Sequence, residues 1–96
     1  MSDKEQLQRI RQMERRLGRA SKAIKKLSAA FDDYKEVHED IAELSAYYGS
    51  DDWKQDFTDD EAGRFPANLK RGVLSEDGIW NLLEAHRELQ KRIKDL

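Results

Sequence analysis

The densest group of side chains that could do chemistry is a carboxylate cluster between residues 51 and 61 of this 96-residue chain. Its members are Asp51, Asp52, Asp56, Asp59, Asp60 and Glu61. Clustered carboxylate oxygens can bind calcium or magnesium, and three of these side chains (56, 59 and 60) would share a face if a helix persists there. The segment lacks the alternating ligands and central glycine of an EF-hand loop. We therefore prefer a solvated acidic surface, with a divalent-cation-binding module as the alternative.

The two histidines of the chain form a second candidate site. His38 lies ten residues before Tyr48, and His86 lies ten residues after Glu76. An antiparallel pair of helices could bring them to the same level, where they could sense pH or bind a metal with Glu39 or Glu84. Because no clear third ligand accompanies them, histidines without special function are the preferred interpretation. Whether the two rings face each other stays open.

No catalytic signature is found in the chain. It has no cysteine, and it shows no Ser–His–Asp pattern, phosphate loop or dinucleotide fingerprint. Lys70-Arg71-Gly72 before Ser75 hints at an anion site at a helix N-terminus, but the acidic residues 76 and 77 would repel a phosphate there. We predict that the protein is not an enzyme and uses no cofactor.

Charge is segregated along the first two thirds of the chain. Residues 9–26 contain eight basic side chains and one acid, a net charge of +7, whereas residues 32–61 contain twelve acids and two lysines, a net charge of −10. Residues 1–30 are named the basic arm, on which Arg11, Arg15 and Arg19 could neutralise the phosphates of a nucleic acid. No aromatic residues interleave with them for base stacking. A nucleic acid is therefore a possible partner but not the favoured one.

The elements that position these charges follow from apolar spacing. Apolar side chains recur between residues 3 and 48 with the alternating spacing of three and four that is typical of a coiled-coil seam. They are Leu7, Ile10, Met13, Leu17, Ala20, Ile24, Leu27, Phe31, Tyr34, Ile41, Leu44 and Tyr48. The spacing predicts one helix over residues 3–48, capped by Ser2 or Asp3. The intermolecular seam is assigned to Ile10, Leu17, Ile24, Leu27 and Phe31.

The seam changes phase near residue 38. Strict heptads place His38 and Ser45 on the stripe, whereas the apolar choices are Val37 and Leu44. Such a slip is expected where a helix changes partners. A helix break near Asp32, which would give a compact three-helix monomer, is the alternative that the sequence leaves open.

Two shorter helices are predicted after the first. Gly49 can end the first helix in the left-handed conformation, and Ser50 can cap a short helix over residues 51–57. Ser75 predicts the start of the last helix, over residues 76–95, with two acidic residues in its first turn.

The connector around these helices contains most of the aromatic residues. Six of the chain's eight aromatics lie in or beside it: Tyr47, Tyr48, Trp53, Phe57, Phe65 and Trp80. We expect Trp53, Phe57 and Trp80 to hold a packed aromatic cap, because clustered aromatic rings bury a large area per residue. Leu69, Val73 and Leu74 are the expected anchors of the connector.

The predicted fold class is all-α, with a long N-terminal helix, a short helical aromatic cap and an antiparallel C-terminal helix. This helical hairpin with a projecting arm forms a single domain over residues 1–96, with the acidic stem, cap and return helix at residues 31–96. The first helix would run roughly 69 Å and the return helix only about 30 Å. More than half of the long stripe therefore needs cover, most simply from a second copy of the chain.

An antiparallel homodimer fits the charges. If two copies cross near Ser28-Ala29, residues 10–24 of one copy lie beside residues 34–48 of the other, basic against acidic. A parallel pair would instead bring like charges together. Any other protein partner is unknown.

The composition also predicts where in the cell the protein is found. Forty per cent of the residues are charged, and no apolar run of 18 residues occurs. The first residues lack the apolar core of a signal peptide. We expect a cytoplasmic protein without membrane contact.

The segment from Tyr47 onward resembles a known family. Tyr47-Tyr48-Gly49-Ser50, then Asp60-Glu61-Ala62-Gly63, then Leu69-Lys70-Arg71-Gly72-Val73-Leu74-Ser75-Glu76-Asp77-Gly78-Ile79 carry the likeness, followed by Asn81-Leu82-Leu83 and Arg87-Glu88-Leu89. They resemble a small bacterial family known as domain of unknown function 4298. The resemblance implies a short, mostly helical bacterial protein, and it implies no activity or site residue. The predicted function is thus a non-catalytic interaction or scaffold protein.

Overall fold

The computed structural model describes residues 3–96, which confirm the predicted all-α class. Three α-helices follow one another, α1 (Asp3–Tyr47), α2 (Asp51–Glu61) and α3 (Gly78–Lys94), and one 3₁₀ turn lies between the last two (Gly72–Leu74). The chain divides into two compact units, an N-terminal unit of residues 1–37 and a C-terminal unit of residues 38–96. The unit boundary falls where the apolar stripe changes phase.

Helix α1 is continuous over 45 residues, about 67 Å at 1.5 Å per residue. It passes Asp32 and Asp33 without interruption, so the alternative of a break there is wrong. A cap by Ser2 lies outside the described residues. At the other end Gly49 has φ +80°, the left-handed conformation predicted for it, which glycine adopts without a steric penalty.

Helix α2 begins as predicted and ends later than predicted. The Ser50 hydroxyl accepts a hydrogen bond from the backbone N–H of Trp53 at 3.1 Å, as an N-cap does. The helix runs on to Glu61 instead of ending at Phe57. Gly63, two residues after the end of α2, has φ +74°.

The core of the C-terminal unit is small. Among the described residues, Leu74 and Ile79 are the buried apolar side chains, at 7% and 3% exposure. Leu74 is therefore an anchor of the connector as predicted, but the same prediction for Leu69 and Val73 is wrong, since both are exposed. The tight 3₁₀ turn separates successive side chains by about 120°, so Val73 points away when Leu74 points inward.

The start of α3 depends on a close backbone approach. The Ser75 hydroxyl donates to the carbonyl of Gly72 at 2.7 Å and accepts from the N–H of Gly78 at 3.0 Å. A Cβ atom on Gly78 would lie 2.2 Å from the Gly72 carbonyl oxygen, so only glycine fits there. The Ser75 hydroxyl thus accepts from the first N–H of α3, but the predicted start at residue 76 is wrong: α3 begins at Gly78, Asp77 is its N-cap, and the acidic residues 76 and 77 precede the helix.

Candidate interaction surface

The N-terminal unit leaves its apolar stripe exposed, except for the half-buried Tyr34. Within the described residues 3–37 none is buried. The large apolar side chains of the stripe are 50–68% exposed: Leu7, Ile10, Met13, Leu17, Ile24, Leu27 and Phe31. All five residues of the predicted seam belong to this set. Contiguous exposed apolar surface of this kind is typical of interaction sites.

The basic side chains of the same helix are exposed as well. Arg11, Arg15 and Arg19, the predicted candidates for phosphate contacts, all lie on the surface of α1. Just beyond the basic arm, the Lys35 ammonium lies 5.8 Å from the centre of the Phe31 ring, a cation–π distance. The stripe and the net positive charge therefore occupy one helix segment, and a partner that covers the first also meets the second.

The last turns of α1 and helix α3 run antiparallel within the C-terminal unit. The Tyr48 hydroxyl donates to the carbonyl of Glu76 at 2.7 Å. His38 lies ten residues before Tyr48, and His86 lies ten residues after Glu76. Their rings meet edge to face with their centres 6.4 Å apart. The two histidines therefore face each other at one level, at the position that their distances from Tyr48 and Glu76 indicated.

An aromatic cluster connects α2 to the connector. Trp53 stacks on Phe57 and meets Tyr48 edge to face, with ring centres 5.2 Å apart in both pairs. Its indole N–H donates to the carbonyl of Val73 at 2.8 Å. Trp53 and Phe57 thus hold the cap as predicted. The same prediction for Trp80 is wrong, because that side chain is half exposed and directly follows the buried Ile79 on α3.

Three carboxylates of α2, those of Asp56, Asp59 and Asp60, contact other groups of the chain. Asp56 accepts a hydrogen bond from the Tyr47 hydroxyl at 2.6 Å. Desolvation of the ring, with the hydrogen bond and negative charge of Asp56, raises the pKa of Tyr47 to about 12. Asp59 accepts from the Gln55 amide at 3.1 Å and pairs with Arg64 at 3.4 Å. Among the described residues no group of three or more His, Asp or Glu side chains is arranged to hold a metal ion.

Arg71 organises the connector. Its Nε donates to Asp60 at 2.7 Å. The two terminal nitrogens donate to the backbone carbonyls of Pro66, Ala67 and Leu69 at 2.8–3.2 Å. The planar guanidinium, with five donors in fixed directions, suits this set of acceptors. Arg71, which hinted at an anion site, thus donates its hydrogen bonds to groups of its own chain.

Arg71 is also the residue that sequence reasoning missed. Its acceptors are backbone carbonyls, whose directions no sequence pattern reveals. One signal was present in the acids at the end of α2. Asp59 and Asp60 are unfavourable near the negative end of a helix dipole unless cations compensate them, and the connector supplies Arg64 and Arg71.

Two open grooves flank the antiparallel helices of the C-terminal unit. One, of about 290 Å³, passes the paired histidines and is lined by Ile41, Leu83 and Arg87 among others; Arg87 forms an ion pair with Glu84. The other, of about 440 Å³, has apolar walls. Its lining consists of Leu44, Lys70, Gly72, Val73, Gly78, Ile79 and Leu82. We name this second one the apolar groove.

Comparison with protein families decides the identity. The family model described as Domain of unknown function (DUF4298) matches residues 10–96. The chain belongs to this family. The match covers all of α2 and α3 and the part of α1 that follows residue 9, so the family includes most of the exposed stripe as well as the cap. No curated protein and no solved structure matches the chain.

None of the helices in the described part of this DUF4298 chain has the length and apolar character that a membrane crossing needs.

Proposed function

We propose that this protein is a non-catalytic helical interaction module, acting in the bacterial cytoplasm, whose first helix assembles with a second copy of the chain. The observation that carries the proposal is the exposed stripe of α1, in which seven large apolar side chains remain at least half exposed. Burying the exposed half of one such side chain contributes roughly 1 kcal/mol. A seam that covers several of them favours association.

Charge complementarity supports a second copy as the occupant. Residues 9–26 have a net charge of +7 and residues 32–61 have a net charge of −10. One copy therefore offers both signs, and an antiparallel partner of the same sequence would match them. Attraction of this kind fixes orientation and speeds encounter.

The engaged titratable groups support a non-catalytic role. Asp56 and Asp60 accept hydrogen bonds from Tyr47 and Arg71 of the same chain, at 2.6 and 2.7 Å. These contacts give the most concentrated carboxylates a part in holding α2 and the connector together.

Sedimentation velocity at micromolar concentration tests the proposal. The wild-type chain is expected to sediment as a dimer, and Ile24→Asp to sediment as a monomer or to lose helicity, because it places a charge in the middle of the seam. Gln12→Asp is the matched control. It makes the same charge change at an exposed position on the outer side of α1, and it should stay dimeric. A wild-type chain that sediments as a monomer would refute the proposal.

A nucleic acid is the second candidate partner, favoured by the exposure of Arg11, Arg15 and Arg19. Gel shifts with generic DNA and RNA at about 50 mM salt are the direct test, since phosphate contacts are strongest at low salt. Binding that vanishes in a triple Arg→Gln variant, while the dimer persists, would add this function. No shift at that salt concentration dismisses it.

A further inference from the structure

The apolar stripe of α1 has a mirror symmetry about Leu27. Counting outward from this residue, each apolar position of the first half has an apolar or aromatic counterpart at the same distance in the second half. The pairs are Leu7 with Tyr47, Ile10 with Leu44, Met13 with Ile41, Leu17 with Val37, Ala20 with Tyr34, Ala23 with Phe31, and Ile24 with Ala30. All of these residues lie in one continuous helix.

Two-fold symmetry makes this spacing meaningful. When two identical helices lie antiparallel across a two-fold axis at residue 27, each residue lies at the level of the mirrored residue in the other copy, and residues on the seam side face each other. The stripe must then read the same in both directions. The change of phase after Phe31, which brings Val37 and Leu44 onto the stripe in place of His38 and Ser45, is what gives it this property.

The axis between Ser28 and Ala29, which the small residues of the middle favour, pairs the stripe less well. It would set Leu17 opposite Asp40 and Ile41 opposite Arg16. An axis at Leu27 leaves no large apolar residue of the stripe opposite a charge. The apolar pattern therefore favours Leu27 over the axis between Ser28 and Ala29.

We infer that a second copy lies antiparallel along α1 with the two-fold axis at Leu27, so that Ile10 of the second copy packs on Leu44 beside the apolar groove. The inference rests on the proposed self-association and gives it an orientation and a register. Leu44 is half-buried and lines that groove with Val73 and Leu82, both about 40% exposed. The groove thus offers apolar cover to the start of the second copy's helix.

The charges agree with this register. The mirror of residues 9–26 is residues 28–45, which contain six acids and one lysine, so a net charge of +7 meets one of −5. Three pairs of opposite charge lie at the same level along the seam: Arg11 with Glu43, Arg15 with Glu39, and Lys22 with Asp32. Two like pairs also occur, Glu14 with Asp40 and Arg19 with Lys35, and they reduce the attraction without reversing it.

Disulfide cross-linking tests the register, because the chain has no cysteine and every introduced thiol is unique. Leu27→Cys is expected to form a disulfide with its own copy, since a residue on the axis meets itself within disulfide reach. Leu17→Cys and Val37→Cys should cross-link when mixed but not alone. All three residues are exposed in the single chain, so substitution spares the core.

Two variants serve as controls for the competing arrangements. Ile10→Cys reports a parallel pair, because its two copies lie about 51 Å apart along an antiparallel seam centred on Leu27. Ala29→Cys reports an axis next to the small residues. We expect Leu27→Cys to cross-link about tenfold faster than either control in a glutathione redox buffer, with sedimentation velocity and circular dichroism run on each reduced variant.

The outcomes separate the two proposals. A monomer in sedimentation refutes the self-association and this inference together. A dimer in which Ile10→Cys cross-links with itself, or in which Ala29→Cys reacts fastest, overturns the register and leaves the self-association intact. A dimer with the Leu27→Cys disulfide and the mixed Leu17→Cys/Val37→Cys product supports both.

Discussion

The two units of the chain treat their apolar residues in opposite ways. Ile24, in the N-terminal unit, is 68% exposed, whereas Ile79, in the C-terminal unit, is 3% exposed. The C-terminal unit closes over its isoleucine because a 3₁₀ turn, a capping serine and a glycine bring backbone segments together. The N-terminal unit is helix throughout its described residues and has no second segment of its own to cover its stripe. Helical periodicity thus creates a stripe, and within one chain a change of chain direction is needed to bury it.

The largest change in stability is expected when a glycine of the C-terminal unit is replaced by alanine, and the same replacement in the N-terminal unit provides the comparison. Gly78→Ala should destabilise the C-terminal unit by about 3 kcal/mol, because its Cβ would overlap the Gly72 carbonyl oxygen at 2.2 Å. Gly18→Ala should stabilise α1 by about 1 kcal/mol, since nothing lies within 4 Å of its Cβ and alanine favours the helix. Thermal unfolding followed by circular dichroism measures both. Equal and small shifts would contradict the close approach at Gly78.

A smaller loss of stability is expected when an arginine is replaced, and it should differ between Arg71 in the C-terminal unit and Arg15 in the N-terminal unit. Arg71→Ala should cost about 1–3 kcal/mol, because Asp60 and three backbone carbonyls lose their donor. Arg71→Lys should restore only part of this, since an ammonium cannot reach the same acceptors. In Arg15→Ala, an exposed change on α1, the loss should stay below about 0.5 kcal/mol. Urea unfolding gives the three values, and a full rescue by lysine would argue against the connector geometry.

The smallest effect concerns Tyr47 and is recognised by its loss at high pH. The folded chain raises the pKa of Tyr47 to about 12 from the usual 10.0, so the unfolded chain loses this proton first. The stability due to the raised pKa is therefore complete below pH 10 and is lost as the pH rises toward 12. Tyr47→Phe, which should cost about 1 kcal/mol at neutral pH, removes this component.

The matching measurement is urea unfolding of both proteins at several pH values. The wild-type chain should lose more stability between pH 10 and 12 than Tyr47→Phe does, since lysine titration is common to both. Parallel curves over this interval would show that the hydrogen bond to Asp56 does not hold in solution.

Local signals in the sequence predicted much of this fold. The unbroken α1, the left-handed Gly49 and the Ser50 cap all depend on neighbouring residues, and all three are present. The pairing of His38 with His86 at one level could also be predicted, because in an antiparallel pair of helices it follows from counting residues away from the connector. Features that depend on which backbone segments pack together could not be predicted from the sequence. The exposure of Trp80 and the carbonyl contacts of Arg71 are two such features.

The end of α2 depends on a contact that is distant in the sequence. The sequence predicted this helix over residues 51–57, and the acidic residues beyond Phe57 oppose the dipole of a longer helix. The structure extends the helix to Glu61 because Asp60 meets Arg71, eleven residues further along the chain. The candidate interaction stripe was predictable as a pattern, since its spacing is local, but its exposure depended on the absence of covering segments in the same unit.

The contacts of Arg71 also have a consequence for the order of folding. They join residues at most eleven positions apart, whereas the His38–His86 contact closes a segment of nearly fifty residues. Because the entropy cost of closure grows with the length of chain enclosed, short-range contacts form early and speed folding. We therefore expect the connector, which has no regular helix between Glu61 and Gly72, to form early in the C-terminal unit, with α3 docking on it afterwards.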